Sequence, residues 1–189
     1  MKSEDISRRS FLKRAAALSA AAAIPSFWIP SKANAMPGVP FVSANEKVRI
    51  AFIGIGNRGG EIAQELYKTG LCEVVALCDV DMGAPHTQKL ISMFPKVPRF
   101  QDFRQMFDKM ADKIDAVTVG VPDHAHFPIT IEAMAHGKHV YVEKPMARTF
   151  QEIEVMMRAE KKFGVVTQMG NQGHSEANYF QFKAWKEAG

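Results

Sequence analysis

The pattern that most constrains this chain is six residues long. Gly54-Ile55-Gly56-Asn57-Arg58-Gly59 reads G-x-G-x-x-G, and it follows directly on Val48 to Ile53, a short β-branched apolar run of the kind that forms a buried strand. Residues 61–68 behind it place Ile62 and Leu66 four apart, the spacing of one helix face. The glycines therefore sit in a strand–turn–helix unit, the context in which they have a mechanical meaning. The first permits a tight turn, the second lets backbone N–H groups approach a pyrophosphate, and the third lets the helix pack closely on the strand. A helix starting there also offers unpaired N–H donors and the positive end of its dipole to an anion.

An acid completes the pattern. A second strand, Glu73 to Cys78, ends at Asp79, which lies 20 residues beyond Gly59. A carboxylate at that place accepts hydrogen bonds from the hydroxyls of an adenosine ribose and repels a 2′-phosphate, so NAD is expected over NADP. Arg58 softens this exclusion, because a guanidinium near the ribose can pair with a phosphate; NADP stays open.

The rest of the chain keeps alternating. Helices are expected at His86–Phe94, Phe103–Met110, Phe127–Ala135, Phe150–Phe163 and Asn178–Ala188, with extended segments at Pro98–Phe100, Ala116–Gly120, His139–Val142 and Val165–Met169. Repeated β-α alternation with apolar strands predicts an α/β fold built on a doubly wound parallel sheet. In such sheets ligands bind beyond the carboxyl ends of the strands. Two polar clusters fall there, Pro122-Asp123-His124-Ala125-His126 and Glu143-Lys144-Pro145. His124 and His126 lack a nearby third ligand, so a loop lining a cofactor is expected and no metal. Pro145 fixes a turn where the strand leaves the sheet, which aims Lys144 at the crevice.

Charge separates the first 35 residues from the rest. They hold six basic and two acidic side chains, which is the whole net charge of +4; the remainder carries 18 of each sign. A basic surface for nucleic acid is thereby excluded as an expectation. Ser7-Arg8-Arg9-Ser10-Phe11-Leu12-Lys13 resembles a twin-arginine export signal, and Ala15 to Ala23 begins an apolar stretch too short and too weakly apolar to span a bilayer. Ala33-Asn34-Ala35 has the small-x-small form of a cleavage site. The organisation expected is a signal peptide at 1–35, a Pro/Gly-containing linker at 36–47 and one domain from 48 to 189. Handling by the twin-arginine machinery, a periplasmic or otherwise exported location and no stable membrane anchor follow from it. Cys72 and Cys78 stand at the two ends of one strand, about 20 Å apart at 3.3 Å per residue, too far for a disulfide.

Taken together, Gly54–Gly59, Asp79, Pro122 to Pro128 and Gly137 to Pro145 resemble the N-terminal half of the Gfo/Idh/MocA oxidoreductases, from about Val48 onward. The resemblance implies a Rossmann-like NAD-binding domain with cofactor contacts from Gly54, Gly56, Asn57, Arg58, Gly59, Asp79, Asp123, His126, Glu143 and Asn171. Lys144 matches the active-site lysine, which contacts the substrate hydroxyl being oxidised. It also implies a second α/β domain, expected to begin near Gly189 and absent from this chain, that supplies most substrate contacts and the contacts for homo-oligomer assembly. His174 is expected to be a loop residue, not a catalytic base. The activity implied is oxidation of a sugar or cyclitol hydroxyl with a tightly held cofactor. Two alternatives stand beside it, an NAD-dependent glycosidase working by transient sugar oxidation and a non-catalytic NAD-binding sensor.

Overall fold

The computed structural model describes residues 47–174 and 176–189; the expected signal peptide and nearly all of the linker lie outside them. Six strands form one sheet: β1 Val48–Ile53, β2 Cys72–Cys78, β3 Arg99–Phe100, β4 Ala116–Val119, β5 His139–Val142 and β6 Thr167–Met169. Their order is β3-β2-β1-β4-β5-β6 and every pairing is parallel. The helices are α1 Asn57–Lys68, α2 Gln88–Met93, α3 Phe103–Met110, α4 His126–Ala135, α5 Phe150–Phe163 and α6 Ala177–Ala188. This is the doubly wound sheet that the alternation predicts, and the order reverses between β1 and β4, where such sheets hold ligands.

Alternation along β1 divides the core between the two faces. Ala51 and Ile53 join Val117, Val119, Val140 and Val142 under α3, α4 and α5. Ile50 and Phe52 join Val74 and Leu77 under α1 and α2. The central strands are thus covered on both sides, as a parallel sheet requires. Among the described residues no helix is long and apolar enough to cross a membrane. The last helix, α6, buries none of its residues and leaves Phe180, Phe182 and Trp185 exposed.

Three boundaries differ from the expected ones by two residues or more, each for a local reason. Helix α1 begins at Asn57 instead of Glu61, because close packing of Gly59 on the backbone of Gly54 and Gly120 overrides the poor helix propensity of its glycines. Helix α2 begins at Gln88, not His86, because the preceding residues form a turn in which Thr87 Oγ1 donates to the carbonyl of Ala84 at 2.8 Å. Strand β6 begins at Thr167, not Val165. The Val165 N–H goes back to the carbonyl of Glu160 at 3.3 Å, and that of Val166 to Nδ1 of His139 at 2.9 Å. By contrast Thr149-x-x-Glu152 forms a complete capping box on α5, closed at the far end by Gly164 with φ 64°.

The amino ends of the strands are tied by charge. Asp115, 1% exposed, accepts from the guanidinium of Arg49 at 2.6 and 3.0 Å and from the Arg49 backbone N–H at 2.8 Å. Burial pushes the Asp115 carboxyl up, yet the Arg49 hydrogen bonds, with the charges of Arg49 and Lys138, hold it below the ordinary aspartate range. Lys138 is also buried, and desolvation draws its ammonium below the usual lysine range despite Asp115. A depressed carboxylate stabilises the fold above the unfolded aspartate pKa of about 3.9 and loses that contribution as pH falls through its folded value. Asp115→Ala removes three hydrogen bonds from Arg49, whose side chain is 35% exposed, and is expected to cost about 2 kcal/mol. Unfolding free energies from urea titration are expected to differ by that much at pH 7 and to converge as pH falls below the ordinary aspartate range.

Candidate cofactor site

The carboxyl edge of the sheet is extended by one residue per strand. Gly54 donates to Cys78 O at 2.8 Å, Gly120 to Ile53 O at 2.8 Å, Glu143 to Val119 O at 3.0 Å and Gly170 to Val142 O at 2.7 Å. The first residue after each of β1, β4, β5 and β6 is therefore fixed by its neighbour's last carbonyl. Four loops leave the sheet from one straight row.

Glycine is required at three points along it. Gly54 has φ +78°, and a Cβ there would stand 2.6 Å from the backbone carbonyl of Gly120. One on Gly59 would overlap the carbonyl oxygen of Gly54 and lie 2.9 Å from that of Gly120. The turn, α1 and the end of β4 thus meet backbone to backbone. Gly120 belongs to this junction although no motif singles it out; its place after an apolar strand was the only signal. Gly56 is different, because its missing side chain faces the imidazole of His86, a movable group. Helix α1 starts at Gly56 without a side-chain cap or an acid in its first turn, so its N–H groups stay available to an anion. Asn57 holds φ 42°, a conformation asparagine tolerates better than most residues.

Asp79 organises the other wall. Its Oδ2 accepts from the N–H of Ile55 at 2.9 Å, and its Oδ1 from that of Asp81 at 3.0 Å. It ties the glycine turn to the β2–α2 loop and keeps lone pairs free for further donors. Between these walls lies a cleft of about 660 Å³, lined by Gly54, Gly56, Asn57, Arg58 and Asp79 and, across from them, Pro122 and His124. Val80, 83% exposed, and Phe103 add apolar surface. Cys78 also faces it, and burial, with the charges of Asp79 and Asp102, pushes its thiol up to about 12. Both cysteines are free.

The remaining predicted residues lie beside this cleft, not in its wall. Glu143 is buried; its Oε1 accepts from Arg58 Nε at 3.4 Å and its Oε2 from the backbone N–H of Lys144 at 3.2 Å. A Cβ on Gly170 would fall 2.6 Å from Glu143 Oε1 and 2.7 Å from the Tyr141 hydroxyl, so these groups share one corner. Desolvation and the charge of Glu143 raise the Tyr141 phenol above its usual range, against the influence of Arg58. Tyr141 was not anticipated; its position two residues before Glu143 puts it on the same strand face. Lys144, Asp123 and Asn171 are exposed at three neighbouring strand ends. His174 sits in a short turn, its ring 5.2 Å from that of Tyr179.

Two of the residues expected at the cofactor are engaged within the protein. His126 was expected to touch the cofactor, but it is 1% exposed, with Nδ1 2.6 Å from Pro145 O and Nε2 2.8 Å from Val121 O. Both ring nitrogens face backbone carbonyls, so the side chain sits between two loops; the cleft-facing histidine is His124. Arg58, expected as a cofactor contact that can also pair with a 2′-phosphate, lines the cleft; its guanidinium pairs with Glu61 at 3.0 Å and Glu143 at 3.4 Å, which hold it above the ordinary range against partial desolvation. Among the described residues, no group of three or more His, Cys, Asp or Glu side chains could hold a metal.

Comparison with known proteins bears directly on this geometry. Residues 48–171 match the model of the Gfo/Idh/MocA oxidoreductase family, described as an NAD-binding Rossmann fold. The chain belongs to that family. An α-N-acetylgalactosaminidase of Shewanella oneidensis is 29% identical over 96% of this chain and 48% of its own length. A glycosyl hydrolase family 109 protein of Shewanella baltica is 30% identical over 83% of this chain and 38% of its own. The chain spans about half the length of the curated relatives it matches. Among solved structures, myo-inositol 2-dehydrogenase from Lactobacillus plantarum is 25% identical with a TM-score of 0.66, over 76% of this chain and 42% of that one. A Thermus thermophilus WlbA dehydrogenase in complex with NAD and α-ketoglutarate shares the fold at 19% identity and a TM-score of 0.66, over 75% of this chain and 47% of that one.

The glycine contacts separate two substitutions that look alike in sequence. Gly59→Ala drives a methyl into the Gly54 carbonyl and is expected to cost about 3 kcal/mol. Gly56→Ala meets only the His86 ring and is expected to stay within about 0.5 kcal/mol of wild type. Thermal denaturation of the two variants checks the order. Cys78, in turn, is expected to resist a maleimide in the native protein at pH 7 and to react fully in urea, read by mass spectrometry.

Proposed function

We propose that this chain is the cofactor half of an NAD-dependent oxidoreductase that acts on a sugar or cyclitol hydroxyl and travels through the twin-arginine route with its cofactor bound. The observation that carries the reading is the common row at the sheet edge. It sets the uncapped α1 N-terminus, the Glu143-Lys144 pair and Gly170-Asn171 along one edge of the sheet. The donor set fits a dinucleotide: a helix start at Gly56 without a side-chain cap, free N–H groups for phosphate, and a carboxylate with lone pairs for ribose hydroxyls. NAD is preferred over NADP, since Asp79 disfavours a 2′-phosphate and Arg58 is engaged by Glu143 and Glu61.

When bound, the nicotinamide supplies a hydride acceptor. The protein's part is placement and charge. Asp79 and the glycine turn hold the adenosine and pyrophosphate half. Glu143, set by the backbone and by Arg58, marks the nicotinamide end, with Asp123 and Asn171 on flanking loops. Lys144, on the next residue, presents an ammonium to the reacting hydroxyl, lowering its pKa and stabilising the alkoxide that develops as hydride leaves. Outside the cytoplasm reduced cofactor has no ready exchange partner. Reduction of a second sugar within the same site then restores the oxidised form.

A second reading is favoured by the names of the relatives. In a glycosidase of this type the sugar is oxidised transiently, the glycosidic bond is broken by elimination and addition of water, and the hydride is returned. Lys144 in the Glu-Lys-Pro cluster supports the oxidoreductase. The longer protein, purified after export, separates them. Retained nucleotide together with sugar-dependent change in reduced-nicotinamide absorbance supports the first reading. Nitrophenol release from nitrophenyl glycosides supports the second. Protein that carries no nucleotide after gel filtration rules out the tight-cofactor mechanism. In that protein Lys144→Met is expected to lower kcat about 100- to 1,000-fold with nucleotide retention unchanged, measured by single-turnover absorbance.

A further inference from the structure

The β2–α2 loop contributes a cleft residue that no motif marks. His86 lines the cleft wall, and its ring lies on Gly56: a Cβ built there would overlap Cδ2 and stand 2.8 Å from Nε2. Gly56 is the glycine whose bare α-carbon admits a pyrophosphate. The imidazole therefore occupies the space that a phosphate group would use, with a ring nitrogen close by.

The main chain behind His86 is well fixed. Thr87, fully buried, donates through Oγ1 to Ala84 O at 2.8 Å, and Gln88 Nε2 donates to Met82 O at 2.8 Å. Asp81 closes the near side, its carbonyl accepting from Ala84 at 3.2 Å and its Oδ1 from Gly83 at 3.1 Å. The His86 side chain is itself exposed, so it can rotate off Gly56 without unfolding this turn.

The charges around the seat leave a gap that His86 can fill. Asp79 and Asp81 are acidic, and Arg58 is drawn toward Glu61 and Glu143. A bound pyrophosphate, with two negative charges, meets the N–H groups of α1 on one side and the β2–α2 loop on the other. We propose that His86 is a phosphate ligand of the dinucleotide. Its ring swings off Gly56 as the pyrophosphate enters, then donates a hydrogen bond to a phosphate oxygen from the fixed β2–α2 turn. This rests on the reading that the chain binds a nicotinamide dinucleotide.

Calorimetric titration of the longer protein, stripped of its nucleotide, with NAD tests it, using wild type, His86→Ala and His86→Gln, with melting temperatures as a check on folding. Loss of a donor to a charged phosphate is expected to weaken the alanine variant about 10-fold, while glutamine, which keeps an N–H donor, stays within about 3-fold. An alanine variant that binds equally or more tightly overturns the proposal, since the ring would then only fill an empty seat. Equal weakening in both variants at unchanged melting temperature also overturns it, because a donor would not be what matters. If the stripped longer protein shows no heat with NAD, the dinucleotide reading itself fails and takes this one with it.

Discussion

The backbone-to-backbone junction of Gly54, Gly59 and Gly120 is the constraint on which the rest depends. A carbonyl oxygen in the space of a missing Cβ leaves no room for adjustment, so β1, α1 and β4 are locked at one separation. That lock sets where α1 begins and hence where its free N–H groups point. It also sets the row from which Glu143 and Gly170 emerge, because each is registered on the strand before it. The uncapped α1 N-terminus and the strand end that carries Glu143 and Lys144 are held in one frame by three missing side chains.

Polar groups divide the molecule by their location. At the amino ends of the strands, Asp115, Arg49 and Lys138 are buried or partly buried charges that serve stability. At the carboxyl ends, charged groups face a cleft or stand exposed beside it. Glu143 is the exception: it is buried at the functional edge and balanced by Arg58 from the glycine turn. His126 connects the two site loops in the same way, through carbonyls and not through charge pairs.

Much of this was legible beforehand. Helices α3 and α5 and strand β5 have the expected limits because period, caps and length agree locally, as Thr149, Glu152 and Gly164 do for α5. The glycine turn and Asp79 were readable because their roles belong to main-chain geometry, which spacing reports. Side-chain roles were less so. His124 and His126 are two residues apart and look equivalent in sequence, yet one lines the cleft and the other is buried between carbonyls. Only the position of the Val121 and Pro145 carbonyls distinguishes them. Tyr141 and Gly120 gain their places from neighbours far away in the chain.

By itself the sequence determined the α/β class, the dinucleotide turn and the order of site segments, since these rest on local periodicity and on what glycine alone can do. The tertiary structure decided which polar groups face the cleft. Arg58 turned to Glu143, 85 residues away, and His86 came to rest on Gly56. The physical reason is that hydrogen bonds and ion pairs are chosen by distance in space, and parallel strands bring together residues that spacing keeps far apart.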